Sequence, residues 1–306
     1  MMFTTSPTAS GLRTVGRASC LVLVCLLGCD GLDPDTREKA DDAVDSLENA
    51  GAAIKEAGKA LKRAGEKAKD AATNAVLPPQ KEEKLGDRMA AKIAKNAELL
   101  SKQRAVQYVR RLGKALVAAA SDRPEGIAFD FHVLRDTKIN AFAIPGGHIY
   151  VTTGLLKAAE SEAEIAAVLA HEIAHVTQRH IAERMLAVHG LSMLTQLAAG
   201  LGAGLLEQLV ARLITRGFLL KHSRDNEREA DARGMDYVID ARHSPNGYVT
   251  FFQRLTEQRQ PPALLSTHPH PEERAQHARE RIDKLPPVIT QRPPHRQRYH
   301  AHTESL

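Results

Sequence analysis

The residues of this 306-residue chain best suited to chemistry are His171-Glu172-Ile173-Ala174-His175, an HExxH run. On a helix the two histidines, four apart, share one face. Two neutral imidazoles at that spacing can hold one Zn²⁺, with Glu172 beside the water that the ion activates. The competing reading is a pair of solvated histidines on a polar face. A catalytic zinc site needs a third protein donor and leaves a fourth position for water. The stretch Ser223–Asp231 supplies a candidate in Glu227, with Glu229 next in line. Asp231, one turn beyond Glu227, can accept the free N–H of a ligand histidine and so fix its ring. The alternative for this stretch is a charged helix facing solvent.

These side chains need elements to position them. Ser161 precedes Glu164 by three residues, a helix-start signature. Ile165, Val168, Leu169, Ile173 and Val176 then recur at helical spacing, and Gly190 offers a stop, so one helix is predicted across the HExxH run. Residues 86–120 read as another helix, with Leu99, Leu100, Val106, Val109, Leu112 and Leu116 as its apolar stripe. Ile127–Leu134 alternates like a strand, and Asn140–Ile144 and His148–Thr152 read as two more around a Pro-Gly-Gly turn. The uncharged, glycine-rich residues 190–206 make a poor membrane span and are expected to form a buried or membrane-grazing helical hairpin. Helices are also expected around Val249–Gln258 and over Glu272–Leu285. The expected class is α+β, mostly helical, with a small sheet.

Four blocks in order carry a resemblance: Asn140-Ala141-Phe142-Ala143 running into Pro145-Gly146-Gly147, then HEIAH with Arg179-His180, then Ser223–Asp231, then Ser266-Thr267-His268-Pro269. Over about residues 85–284 the chain resembles the zinc metallopeptidases that include HtpX, the CAAX prenyl proteases, the mitochondrial Oma peptidase and several bacterial periplasmic lipoproteins. The resemblance implies a zincin-type HExxH domain with zinc on His171, His175 and Glu227, and Glu172 as catalytic base. It implies that His268 approaches the metal, as a latch on the open position or as a donor to the developing oxyanion. His180, five residues from His175 and off the ligand face, is assigned to structure. The family places a strand at the edge of its small sheet, bordering the cleft, where an extended peptide can pair through its main chain. Asn140, Gly147, His148, Ile149 and Tyr150 are the candidates here.

The first stretch reads as an address rather than as structure. Arg13 and Arg17 precede a short apolar run, Ala18–Leu27, ending in Leu26-Leu27-Gly28-Cys29, which resembles a bacterial lipobox. Residues 1–28 are expected to be a signal peptide and Cys29 a lipidated anchor at the periplasmic face of a membrane. The three cysteines, Cys20, Cys25 and Cys29, all lie in or at the end of that leader, so thiolate ligation of zinc is excluded. Residues 29–80, rich in Ala, Lys and Glu, read as a stalk or linker, 81–285 as the peptidase domain, and 286–306 as a disordered tail. Charge of 42 basic against 37 acidic residues is too balanced to argue for nucleic acid. The expected activity is zinc-dependent endoproteolysis of misfolded or stalled envelope proteins. A low-turnover polypeptide-binding chaperone or assembly factor is the alternative.

Overall fold

The computed structural model describes residues 49–60, 64–65, 68, 71, 73–75, 77–101, 104–216, 222–258, 262–304 and 306. The leader and Cys29 lie outside these residues. The chain divides into two units, residues 1–68 and 69–306. In the first, residues 49–60 are helical and exposed. The second unit begins earlier than the predicted domain start: Thr73 and Leu77 are buried, and Leu77 belongs to the apolar core.

The second unit is mostly helical around one three-stranded sheet. Helix α1 (Pro79–Asn96) and helix α2 (Arg104–Ala119) replace the single helix expected over 86–120. The reason is local. At 97–100 the backbone is taken by the sheet, with Leu100 N–H on Val133 O at 2.9 Å and Arg135 N–H on Glu98 O at 2.9 Å. Leu99 and Leu100 therefore serve a sheet edge, and only Val106, Val109, Leu112 and Leu116 form a buried helical stripe.

Strand β1 (Asp130–Leu134) pairs in parallel with β3 (His148–Thr152), which pairs antiparallel with β2 (Ala141–Ala143). The order β1-β3-β2 puts β3 in the middle. The turn between β2 and β3 needs a left-handed residue at Gly146, φ 78°, where a Cβ would also strike the α1 backbone at Glu83.

A short helix α3 (Thr153–Ala158) leads to α4 (Glu162–Thr177), buried along its whole length. Ser161 caps it, its Oγ accepting from Glu164 N–H at 3.3 Å. The predicted run to Gly190 is broken earlier. Arg179 takes φ 56°, and its guanidinium is buried on Glu82, at 2.7 Å, and on the Leu77 carbonyl. That ion pair pins the chain reversal against α1, and a new helix, α5 (His180–Ala198), starts at His180, with a non-helical Gly190 inside it. Helix α6 (Ala203–Arg216) follows through Gly200 and Gly202, both at positive φ. Leu197, Leu206, Leu209, Val210 and Leu213 are buried, so the glycine-rich segment is a packed hairpin. No helix among the described residues is long and apolar enough to cross a membrane.

Helices α7 (Arg224–Asp240) and α8 (Asn246–Thr256), the single turn α9 (Leu264–Thr267) and α10 (Pro271–Ile282) complete the site. Residues 286–306 depart from the expected disordered tail. They contain two more helices, α11 (Pro287–Thr290) and α12 (Arg296–Thr303). Tyr299 is fully buried, packs edge-on to Tyr108 of α2 and donates its hydroxyl to Leu156 O. One inward tyrosine turns an otherwise Arg- and His-rich segment into part of the core.

Candidate metal centre

Helix α4 presents His171, Glu172 and His175, and α7 presents Glu227 on its first turn, behind the Ser223 cap, whose Oγ accepts from Asn226 N–H at 3.1 Å. The two helices lie close enough that Gly234 has no room for a side chain. A Cβ there would sit 3.0 Å from the Ala170 carbonyl and closer still to the Tyr248 hydroxyl. This approach carries Glu227 to the two histidines. His268 comes in from the end of α9, where its N–H donates to Leu264 O at 2.9 Å, and the following Pro269 restricts its backbone.

The four donors converge. His171 Nε2 is 3.0 Å from His175 Nε2 and 3.1 Å from His268 Nδ1. Glu227 Oε1 is 3.0 Å from His268 Nδ1 and 3.4 Å from His175 Nε2, and its Oε2 is 3.5 Å from His171 Nε2. Ligands held at about 2.0–2.1 Å around a tetrahedral zinc stand roughly 3.3–3.4 Å apart. All four residues are buried. Lone pairs so close repel unless a cation or proton lies between them, and the donor set, two imidazoles and a carboxylate with a third imidazole, suits zinc. Glu172 adds a buried Oε1 without a hydrogen-bond partner, 3.4 Å from His268 Nε2. The residues present therefore fit a metal ion.

A further layer sets the tautomers. His171 Nδ1 lies 2.9 Å from Asp231 Oδ1, so Nδ1–H donates to the carboxylate and Nε2 keeps its lone pair for the centre. His175 Nδ1 lies 3.0 Å from His180 Nδ1. With Nδ1–H of His175 donating, its Nε2 is likewise left free. Sequence spacing assigned His180 to structure; its ring stands directly behind His175. Glu229, the reserve ligand, is 3.5 Å from His180 rather than at the centre.

Two residues at the site were missed by the sequence reading. Arg274 of α10 donates to both Asp231 oxygens, from Nε at 2.7 Å and Nη2 at 2.6 Å, and reaches Glu227 Oε2 at 3.2 Å. Its guanidinium lies 4.4 Å over the Phe252 ring. Position 274 lies in the first turn of a proline-started helix, and nothing in the pattern says that this arginine among several turns inward. His222, just before the α7 cap, stacks on His175 with ring centroids 3.9 Å apart; no spacing rule pointed to it.

The electrostatics agree with this layering. Burial alone would raise the Asp231 carboxyl, but Arg274 and His171 hold it below its ordinary value. Burial likewise opposes ionisation of Glu227, and the cationic partners around it keep it well below the carboxylate range. His175 is driven well below the usual imidazole value, first by burial, and is neutral as a ligand must be. His171 goes the other way, to about 9: burial and Arg274 oppose protonation, and hydrogen bonds to Asp231 and Glu227 outweigh them. A metal at the centre would take the place of that proton.

The residues expected to bind peptide stand differently. His148, Ile149 and Tyr150 belong to β3, the central strand, whose main chain is paired on both sides. Gly147 is buried against Ala128 O, and Asn140 exchanges hydrogen bonds with Thr152 at the sheet end. The edge expected at β3 is therefore at β2. There Ala141 and Ala143 point their main chains away from β3, and Ile139 O accepts from Leu264 N–H at 3.2 Å, beside the cleft.

Residues 102–282 match the model of peptidase family M48. The chain belongs to that family. It is 35% identical over 218 residues to a putative beta-barrel assembly-enhancing protease of Vibrio cholerae, covering 66% of this chain and 44% of that one. It is 32% identical over 225 residues to the beta-barrel assembly-enhancing protease of Escherichia coli, covering 69% and 46%. Similarity to the mitochondrial metalloendopeptidase OMA1 of Schizosaccharomyces pombe is 36% over 171 residues, covering 55% and 50%. The chain spans about half the length of the curated relatives it matches. The M48 match covers α2 through α10, the stretch that carries every donor of the buried centre.

Proposed function

We propose that this chain is a zinc-dependent endopeptidase using His171, His175 and Glu227 as metal ligands and Glu172 as general base. The observation that carries the reading is the meeting of four buried donor residues, with contacts of 3.0–3.5 Å between their donor atoms and the partnerless Glu172 Oε1 alongside. Zinc at this centre would supply Lewis acidity toward water and the scissile carbonyl. Glu172 takes the proton from the attacking water and delivers it to the leaving amine. Asp231 and His180 hold the two ligand rings, and Arg274 holds Asp231 and Glu227.

His268 occupies the fourth corner of the donor set, which favours the latch over the oxyanion donor: its ring must leave before water and substrate enter. A narrow, mostly apolar cleft lies beside Glu172 against Val168, Phe251, Phe252 and Leu264, and it has to widen, as release of His268 would allow, before it takes an apolar side chain. The outer edge of β2, where Ala143 is partly exposed while Ala141 and Phe142 are buried, is the place for main-chain pairing with an extended polypeptide, which gives affinity with little sequence preference. Such an edge suits unfolded or misassembled proteins. With the lipobox-like leader and Cys29 as anchor, the proposed setting is the periplasmic face of a bacterial membrane, and the similarity to beta-barrel assembly-enhancing proteases supports envelope substrates.

The test is cleavage of unfolded casein by the zinc-loaded protein. Turnover that a chelator abolishes and zinc restores supports the peptidase. Stoichiometric casein binding without cleavage, in wild type and His268→Ala alike, contradicts it and supports a polypeptide-binding factor.

A further inference from the structure

A second set of metal donors lies on the sheet, apart from the M48 ligands. Asp130 of β1 pairs in register with His148 of β3, and His132 is two residues along from Asp130, so all three project from the same sheet face. His132 Nε2 is 3.4 Å from His148 Nδ1 and 3.4 Å from Asp130 Oδ2, and the three donor atoms lie within 4.8 Å of one another. For two imidazole nitrogens 3.4 Å is long for a hydrogen bond, and it matches the edge of a tetrahedron around a zinc-sized ion.

The groups around the trio aim it. Asp87 Oδ1 lies 2.9 Å from His148 Nε2, so Nε2–H donates there and Nδ1 is left with its lone pair toward His132. Asp130 Oδ1 accepts from Phe131 N–H at 2.9 Å, which leaves Oδ2 for the trio. The His132 ring is braced by stacking on Tyr150, centroids 4.6 Å apart. Arg110 is the nearby cation. Its Nε donates to Phe131 O at 3.1 Å and stays 3.8 Å from Asp130, on the Oδ1 side.

We propose that Asp130 Oδ2, His132 Nε2 and His148 Nδ1 form a second, solvent-accessible site for a borderline divalent cation such as zinc. The bound ion ties β1 to β3 and, through Asp87, to α1. The fourth position opens to water, since Asp130 is half exposed. Two imidazoles and a carboxylate favour zinc, cobalt or copper over magnesium or calcium.

The experiment uses the full chain and Co²⁺ as a visible probe. Wild type titrated with Co²⁺ is expected to bind one equivalent beyond that taken by the buried centre, with d–d absorption and no thiolate band. Glu227→Ala is expected to lose the buried-centre equivalent and keep the second. His148→Gln and Asp130→Asn are expected to lose the second and keep the first, which also shows that the variants are folded. Asp87→Asn is expected to weaken the second roughly 10-fold or more. Two outcomes overturn the proposal: no second equivalent in wild type up to millimolar free Co²⁺, or a second equivalent that survives in both His148→Gln and Asp130→Asn.

Discussion

Two clusters of histidines and carboxylates in this protein share one spacing and differ in everything behind it. At the buried centre the four donor side chains are 0–6% exposed. His171 is backed by Asp231 and Arg274, His175 by His180, and Glu227 by Arg274. On the sheet the histidine side chains are 14–15% exposed and Asp130 is 51% exposed, and the partner behind His148, Asp87, is 64% exposed. Donors at the right distance are thus the lesser part of a metal site. The buried centre also has its lone pairs aimed before any ion arrives, by groups that are themselves immobilised. Ordering side chains costs free energy at binding when it has not been met in folding, so the buried centre should bind far more tightly and the sheet trio more weakly and reversibly.

The largest expected effect is at Glu227. Glu227→Ala removes a proposed ligand and would leave Arg274 beside a cation, so zinc affinity should fall by more than about 100-fold, with zinc content after dialysis as the measurement. Unchanged zinc would place the third ligand elsewhere. Next is Arg274→Lys. A point charge cannot replace the two-pronged contact with Asp231, and we expect roughly 10–100-fold weaker zinc binding, read by competition with a chelating dye; wild-type affinity would show that Asp231 needs no help. His180→Ala should cost about 10-fold by the same measurement, because it frees one ring rather than a ligand and its backing together.

A different kind of effect, on stability rather than on metal binding, concerns a buried carboxylate outside either cluster. Glu162 accepts from Tyr108 at 3.1 Å and is paired with Arg298 and with His243 at 3.4 Å. Burial opposes its ionisation, but His243 and Arg298 prevail and bring it down to about 2. A carboxyl depressed on folding stabilises the protein above its unfolded value of 4.5, and that stabilisation fades as pH falls toward 2. After allowance for the exposed Arg298 this is on the order of 2 kcal/mol. Glu162→Gln should flatten denaturant midpoints between pH 5 and pH 3, and a slope as steep as wild type would deny the pairing.

The buried centre was partly legible in the sequence because two of its donors, and the third donor with its supporting carboxylate, sit at helical spacings; His268 was reached only through the family resemblance. His171 with His175, and Glu227 with Asp231, are each one turn apart, so a helix alone fixes their common face. The mostly helical fold with a small sheet followed from periodicity in the same way. What spacing could not show is what tertiary packing decides. Arg274 and His222 reach the site from segments whose pattern does not distinguish them from solvated neighbours. The break at Arg179 depends on Glu82, 97 residues earlier in the chain. The sheet order that makes β2 the edge, and the ordering of residues 286–306 by Tyr299, are likewise long-range facts. The sheet trio escaped notice because Asp130 and His132 lie 18 and 16 residues before His148, joined only by strand register.

In the proposed mechanism Glu172 acts on water at a metal held by other residues, and Glu172→Gln separates the two functions. Zinc content and casein cleavage should be measured on the same preparation of that variant and of wild type. The expected result is one tightly held zinc per chain in both, with cleavage lowered by roughly 10²–10⁴-fold in the variant. Cleavage at the wild-type rate with zinc in place would contradict the assignment of Glu172 and with it the mechanism.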